Sequence, residues 1–173
     1  MSFNITVTGI SGIPEISHGD DLALMIANAA REQQTPIENN DVLVVTQKIV
    51  SKSEGAIVDL NDITPSQLAE EFANQYSKDP RHVEVVLRES KRIVRMDRGI
   101  LIVETKHGFV CANAGVDASN IPGDEKLSLL PADPNDSARR LRAGFMSHLG
   151  CEVAVIISDT FGRPWRMGWS FCS

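Results

Sequence analysis

An apolar run from Val153 to Ile157 is the feature that most restricts how this chain can fold. Such a run indicates a buried strand. After Ser158 it delivers an acid and a hydroxyl side by side, Asp159 and Thr160. Sites built on sheets lie where strands end, and a carboxylate beside a hydroxyl, followed by glycine and arginines, suits a metal ion and the phosphates it bridges.

A second carboxylate, Asp117, lies in the loop-like stretch from Gly115 to Asn120. Hard divalent cations need oxygen ligands, and acids on loops can orient freely toward them. We therefore predict that Asp117 and Asp159 share one metal site. The competing interpretation is local, with Asp117 and Asn120 in Asx turns and Thr160 capping the end of a strand.

Size and charge limit the classes of function that the chain can serve. With 173 residues, 42% of them hydrophobic, it can bury one good core or two small subdomains. The net charge of −6 argues against non-specific nucleic-acid binding and against an anionic membrane surface. An anionic small substrate remains compatible, because cations cluster at Lys48/Lys52 and Arg163/Arg166.

Three scattered cysteines, Cys111, Cys151 and Cys172, form no Cys-x-x-Cys pair. This spacing favours reduced thiols in the cytosol over a disulfide framework or a zinc site. The first residues lack the basic and apolar regions of a secretory signal, and no apolar run approaches the roughly 18 residues of a membrane span. We predict a cytoplasmic protein.

Periodicity predicts an α+β fold with mixed sheets and flanking helices, because strands and helices follow each other without strict alternation. The predicted strands cover residues 3–8, 41–46, 93–96, 101–104, 109–112 and the run that begins at 153. The predicted helices cover 21–32 (capped by Asp20), 64–76 (capped by Thr64), 80–90 (capped by Asp79) and 136–149 (ended by Gly150). Residues 47–55 and 113–135 are predicted to be loops.

Several weaker motifs allow a functional and a structural interpretation. Lys52 could bind a phosphate as a point charge, but a solvated surface loop is the better prediction for 51–55. The stretch Ser11–Pro14 could offer backbone N–H groups to a phosphate, although Gly-Pro turns are usually structural. The four histidines, which lack metal-ligand spacing, are predicted to be surface or supporting residues: His18, His82, His107 and His148.

Taken together, five segments resemble the family of coenzyme F-420-0:L-glutamate ligases, or γ-glutamyl ligases. The likeness runs from residue 5 to about residue 168, in the family's order, and is specific as a set. The segments are Gly12–Pro14, Val44–Gly55, Asn113–Asn120, Leu129–Pro131 and Ser158–Arg166.

The resemblance implies a GTP-dependent amide ligase that adds L-glutamate to the deazaflavin precursor coenzyme F-420-0 through an acyl phosphate. It also implies Mg²⁺ or Mn²⁺, a monovalent cation such as K⁺, and a homodimer with a mixed α+β fold. By motif, Asp117, Asp159 and Thr160 would bind the metal, and Lys52 would neutralise phosphate charge. The implied nucleotide contacts are Ser11, Gly12, Ile13, Pro14, Thr46, Gln47, Lys52 and Asn120. We add the hypothesis that Arg163 and Arg166 bind anionic substrate.

The family continues beyond the motif at 158–168, whereas the sequence stops at Ser173. We therefore expect a single ligase-type domain over 1–173 that is incomplete at its C-terminal end. Two alternatives stay open. The chain could be an inactive nucleotide-binding or dimerisation fragment of the family, or a metal-dependent phosphohydrolase that uses the same two acids.

Overall fold

Helices and strands are mixed along the chain, which confirms the α+β prediction. The computed structural model describes residues 4–118, 125–159 and the backbone of 170–172. The helices are α1 (Leu22–Glu32), α2 (Gln47–Ser53), α3 (Gln67–Tyr76), α4 (Pro80–Arg88) and α5 (Pro134–Leu149). The strands are β1 (Val42–Thr46), β2 (Ile57–Asp59), β3 (Ser90–Asp97), β4 (Ile100–Thr105), β5 (Val110–Ala112), β6 (Lys126–Ser128), β7 (Ala154–Asp159) and β8 (Ser170–Cys172).

The apolar run after residue 153 is the central strand of a three-stranded sheet. β7 pairs in parallel with β1, from Val42 opposite Ala154 to Thr46 opposite Ser158, and antiparallel with β8. Val153 and Ile157 are buried, as the run predicted. Because parallel strands end at the same edge of a sheet, the residues that follow β1 lie beside the end of β7.

Helices α1 and α5 pack against each other, and α5 also packs on β7. Their buried side chains form one hydrophobic cluster with the sheet, which includes Leu22, Ile26, Phe145 and Ile157. At the crossing of the two helices, α5 presents Gly144. A Cβ atom placed there would lie 2.6 Å from the Cβ of Ala23. The two backbones can approach this closely because the position carries no side chain.

We expect Gly144→Ala to lower the free energy of unfolding by about 1–3 kcal/mol, since overpacking outweighs the better helix propensity of alanine. Urea denaturation followed by circular dichroism measures the change. Gly9→Ala is the matched control, because a Cβ at Gly9 meets nothing within 4 Å. An equally stable Gly144→Ala variant would contradict the close approach of the two helices.

A second hydrophobic cluster lies under the antiparallel meander of β3, β4 and β5. Helices α3 and α4 contribute to it, together with the antiparallel pair formed by β2 and β6. The predicted strands at 93–96, 101–104 and 109–112 are all confirmed, with turns between them where Gly99 and Gly108 have positive φ. In the described residues, no helix has both the length and the apolar character needed to cross a membrane.

Helix ends follow side-chain caps, but not always the predicted ones. Asp79 caps α4 and Gly150 ends α5 in the left-handed conformation, as predicted. The carboxylate of Asp21, not Asp20, accepts from the first turn of α1. The hydroxyl of Ser66, not Thr64, caps α3. In both helices the cap is the candidate whose side chain lies closest to a free N–H group of the first turn.

Two element predictions are wrong, and a third, the loop at 113–135, is wrong in part because β6 covers Lys126–Ser128 and α5 begins at Pro134. Residues 4–8 form no strand, and Ile5 and Val7 are almost fully exposed. Alternation alone cannot form a strand, because its N–H and C=O groups need a neighbouring strand, and none among the described residues lies beside this segment. The second error concerns residues 47–55, predicted as a loop, where α2 covers Gln47–Ser53.

Candidate functional site

Helix α2 begins where β1 ends, and it carries four of the side chains that shape the candidate site: Gln47, Lys48, Ser51 and Lys52. The pairing of β1 with β7 places Gln47 near Asp159, and both residues line one small, largely apolar pocket. His107, Leu130 and Pro131 also line it. Asp159 thus lies at the end of strand β7, as predicted. Gln47, a predicted nucleotide contact, lines the same pocket.

Gln47 and Ser51 are fixed one turn apart on the buried face of α2. The Gln47 amide donates to the Leu129 carbonyl at 2.9 Å, and the Ser51 hydroxyl donates to the same oxygen at 2.6 Å. Both residues are at most 4% exposed. These bonds attach the start of α2 to the connection that follows β6.

Asp117 follows a short 3-10 turn at Asn113–Gly115, in which all three residues have positive φ. Its backbone N–H and C=O groups pair with Ser128 at 3.1 and 2.8 Å. The carboxylate is 41% exposed, and its Oδ2 lies 2.7 Å from Nζ of Lys48. The second residue of α2 is therefore in direct contact with the predicted metal ligand.

Lys52 lies one turn further along α2 and is buried, with its side chain 8% exposed. The prediction of a solvated surface loop around Lys52 is wrong, because the chain is helical there and packs its lysine inward. The ammonium group forms an ion pair with Glu15. Because Glu15 directly follows Pro14, this pair brings Lys52 to the turn at Ser11–Pro14.

The turn at Ser11–Pro14 is held by Gln33 from the end of α1. The backbone N–H and the hydroxyl of Ser11 both donate to the Gln33 side-chain oxygen, at 2.9 and 2.8 Å. Gly12 has a φ of +77°, and Ile13 packs against the first hydrophobic cluster. The turn is well defined, while its predicted contact with a nucleotide stays a prediction.

The electrostatics of the site rest on paired charges. Two ion pairs extend from neighbouring positions one turn apart on α2, Lys48 with Asp117 and Lys52 with Glu15. Nearby, burial is the main cause that lowers the pKa of His82, and Lys78 acts in the same direction. Asp79 and Asp117 oppose that shift. A neutral His82 therefore adds no positive charge beside Asp117 near pH 7.

The described part of the site fits a divalent cation bound through few protein ligands. The Asp117 side chain is accessible and offers carboxylate oxygens, the ligand type that a hard divalent cation takes, although Lys48 pairs with it here. No group of three His, Cys, Asp or Glu side chains converges within residues 4–118 and 125–159. Mg²⁺ and Mn²⁺ commonly use one or two carboxylates and take the remaining ligands from water and substrate phosphates.

Four predicted site residues lie outside the described residues: Asn120, Thr160, Arg163 and Arg166. Among those described, Thr46 ends β1 and is exposed. The sequence patterns did not assign roles to Glu15, Ser51 or the turn of His107. Lys48 and Lys52 are four residues apart. A helix predicted at 47–53 would have placed both lysines on the same helix face.

Comparison with known proteins gives a consistent result. A model of the family described as F420-0:Gamma-glutamyl ligase matches residues 11–173. A coenzyme F420:L-glutamate ligase of Methanothermobacter thermautotrophicus is 43% identical over 164 residues, 95% of this chain and 65% of the relative. The enzyme of the same name from Methanopyrus kandleri is 47% identical over 154 residues, 89% of this chain and 59% of the relative.

A third relative with this name, from Methanocaldococcus jannaschii, is 46% identical over 135 residues, 78% of this chain and 53% of the relative. The chain therefore spans between about half and two thirds of the length of these relatives.

Proposed function

Because the chain belongs to the F420-0:Gamma-glutamyl ligase family, we propose that the protein adds L-glutamate to coenzyme F-420-0 at the expense of GTP. The observation that carries this proposal is the position of α2. It brings Gln47 to the pocket of Asp159, Lys48 to Asp117, and Lys52 to the turn at residues 11–14. The two acids proposed to bind a metal are thus in contact with, or share a pocket with, a short helix that carries two lysines.

The proposed reaction has two steps. A carboxylate oxygen of the coenzyme attacks the γ-phosphorus of GTP, the bond to the β-phosphate oxygen breaks, and GDP leaves with an acyl phosphate in place. The glutamate nitrogen then attacks the acyl carbon, the bond to the phosphate oxygen breaks, and inorganic phosphate leaves while the amine loses its proton. Both steps bring negative groups together, so positive charge at the site lowers the barrier.

Each predicted site residue has a proposed role in these two steps. Asp117, Asp159 and Thr160 would hold Mg²⁺ or Mn²⁺, which when bound neutralises phosphate charge and orients the phosphates in line. Lys52 would contact a phosphate. Further nucleotide contacts come from Thr46, Gln47, Asn120 and the turn formed by Ser11, Gly12, Ile13 and Pro14. Arg163 and Arg166 would bind the anionic coenzyme. We also propose that the protein binds K⁺ as an additional ion, is cytoplasmic and forms a homodimer.

Mass spectrometry tests this function directly. The purified protein is incubated with coenzyme F-420-0, L-glutamate, GTP and Mn²⁺, and the molecular mass of the coenzyme is then measured. A mass increase of one or more glutamyl units, dependent on both GTP and glutamate, is the expected result. Loss of GTP without glutamate and without amide would instead indicate a phosphohydrolase. No reaction by a folded protein would indicate that this length of chain is an inactive part of the family's enzyme.

A further inference from the structure

His107 has an arrangement that the proposed roles leave unused. It lies in the turn between β4 and β5, and its ring stacks on Phe109 with 6.4 Å between the ring centres. Its Nε2 is 2.8 Å from the carbonyl oxygen of Pro131 and 3.2 Å from that of Ala132. Carbonyl oxygens only accept hydrogen bonds, so Nε2 carries the hydrogen and donates it to them.

The other ring nitrogen completes this assignment. Nδ1 is buried and has no hydrogen-bond partner within the part of the chain that the structure describes. A hydrogen on Nδ1 would be buried without an acceptor, whereas Nε2 has two acceptors within reach. The ring therefore presents its Nε2–H group to the Pro131–Ala132 backbone, and these contacts fix its orientation.

The two carbonyl groups belong to the connection between β6 and α5, residues 129–133. Its first carbonyl, at Leu129, is held by Gln47 and Ser51 of α2. Pro131 is fully buried in the middle, and the last residue, Asp133, caps α5. The connection is thus held from one side by α2 and from the other by His107.

This connection is linked to both of the acids proposed to bind the metal. Ser128, whose backbone pairs with Asp117, directly precedes Leu129. Pro131 and His107 line the same pocket as Asp159. A displacement of residues 129–133 would therefore change the separation of the two carboxylates, and a divalent ion is sensitive to such changes because Mg²⁺ and Mn²⁺ need well-placed oxygen ligands.

We infer that His107 is a positioning residue, which through its Nε2–H group holds the connection 129–133 and thereby sets the spacing of Asp117 and Asp159 for a divalent cation. This inference rests on the proposed function, since it needs a metal at those acids. It assigns the essential role to the donor nitrogen, not to the lone pair of Nδ1.

Manganese binding to the full chain tests the inference without any turnover. Free Mn²⁺ is titrated into the protein and followed by its electron paramagnetic resonance signal, at a temperature below the melting point of every variant. His107→Ala is expected to weaken binding by about tenfold, as is usual when a group that orients metal ligands is removed. His107→Gln should bind within about threefold of the unsubstituted protein, since its amide nitrogen can occupy the place of Nε2 and donate to the same carbonyls.

His107→Asn separates the two nitrogens, because the shorter amide reaches only the place of Nδ1. We expect it to bind Mn²⁺ as weakly as His107→Ala. Tight binding by the asparagine variant and weak binding by the glutamine variant would overturn the inference in favour of the lone pair. His148→Ala is the matched control. His148 lies in the last turn of α5, at the opposite end of the helix from Pro134, and contacts Asp21. The Mn²⁺ affinity of the His148→Ala variant should be unchanged.

The remaining outcomes separate the inference from the function on which it rests. If His107→Ala melts at a lower temperature but binds Mn²⁺ with unchanged affinity, His107 has only a structural role and the inference is wrong. If the unsubstituted protein binds no Mn²⁺, the metal site itself is wrong, and the inference fails with it.

Discussion

Asp117→Asn is expected to lower the rate of glutamyl addition by a hundred- to a thousandfold, the order seen when one charge-stabilising group is removed from a reaction centre. The substitution keeps the size of the side chain and removes its negative charge. The site then loses an oxygen ligand suited to a divalent cation, and the charge of Lys48, now 2.7 Å from the carboxylate, is no longer neutralised by Asp117. Both changes disfavour a metal at this position.

Product formation at limiting and at saturating Mn²⁺ measures the effect. If metal binding is the cause, high Mn²⁺ should restore part of the rate. The fold should change little, because the Asp117 carboxylate is 41% exposed and ion pairs of this kind contribute at most about 1 kcal/mol. Asp97→Asn makes the same charge change in the exposed pair with Arg95, and its rate should stay within about twofold. An Asp117→Asn enzyme with full rate at limiting Mn²⁺ would refute the metal role.

Lys52→Met should reduce kcat/KM for GTP by about a hundredfold, corresponding to roughly 2.7 kcal/mol of lost transition-state stabilisation. Methionine keeps most of the volume of the buried lysine stem, so packing in α2 is retained. What disappears is a positive charge held at a fixed place beside the turn of residues 11–14. Glu15, whose side chain is 61% exposed, remains hydrated.

Initial rates over a range of GTP concentrations give this value, and thermal melting shows whether the fold is kept. Lys106→Met is the appropriate comparison, because Lys106 is 58% exposed and pairs with Glu89 through a similar contact of 2.9 Å. Its kcat/KM should be unchanged. A GTP dependence of Lys52→Met indistinguishable from that of Lys106→Met would show that the buried lysine serves packing alone.

The strand β7 and the helix α2 show why one part of the site could be predicted and the other could not. β7 is the central strand of its sheet and packs against α5, and such a position leaves a direct signal in the sequence as an uninterrupted apolar run. α2 has seven residues with few apolar positions, so it lacks the length at which periodicity becomes visible. Its conformation depends on distant partners instead, through the bonds of Gln47 and Ser51 to Leu129 and the pair of Lys52 with Glu15.

Residue patterns indicated Asp117 and Asp159, and the resemblance implied most of the other site residues, but neither indicated the partners of these side chains. Nothing local links Lys48 to Asp117 or His107 to Pro131, because each pair joins segments that are distant in the chain. Such contacts depend on register between strands and on which face of a short helix turns inward. A sequence motif indicates which residue type occupies a site position. The neighbours that orient that side chain are determined by the fold.

The parallel pairing of β1 with β7 also affects how the chain can be made. All of the residues that build the second hydrophobic cluster lie between these two strands in sequence. During synthesis, β1 leaves the ribosome long before β7 exists to pair with it, and its outward-facing Val42 and Val44 are each 58% exposed even in the finished fold. Closing so long a loop is slow, so the second cluster can fold first while the edge that carries Gln47 and Asp159 assembles last. Until then both edges of β1 are open to pairing with other chains, and we infer that synthesis at low temperature or with chaperones will raise the yield of native protein.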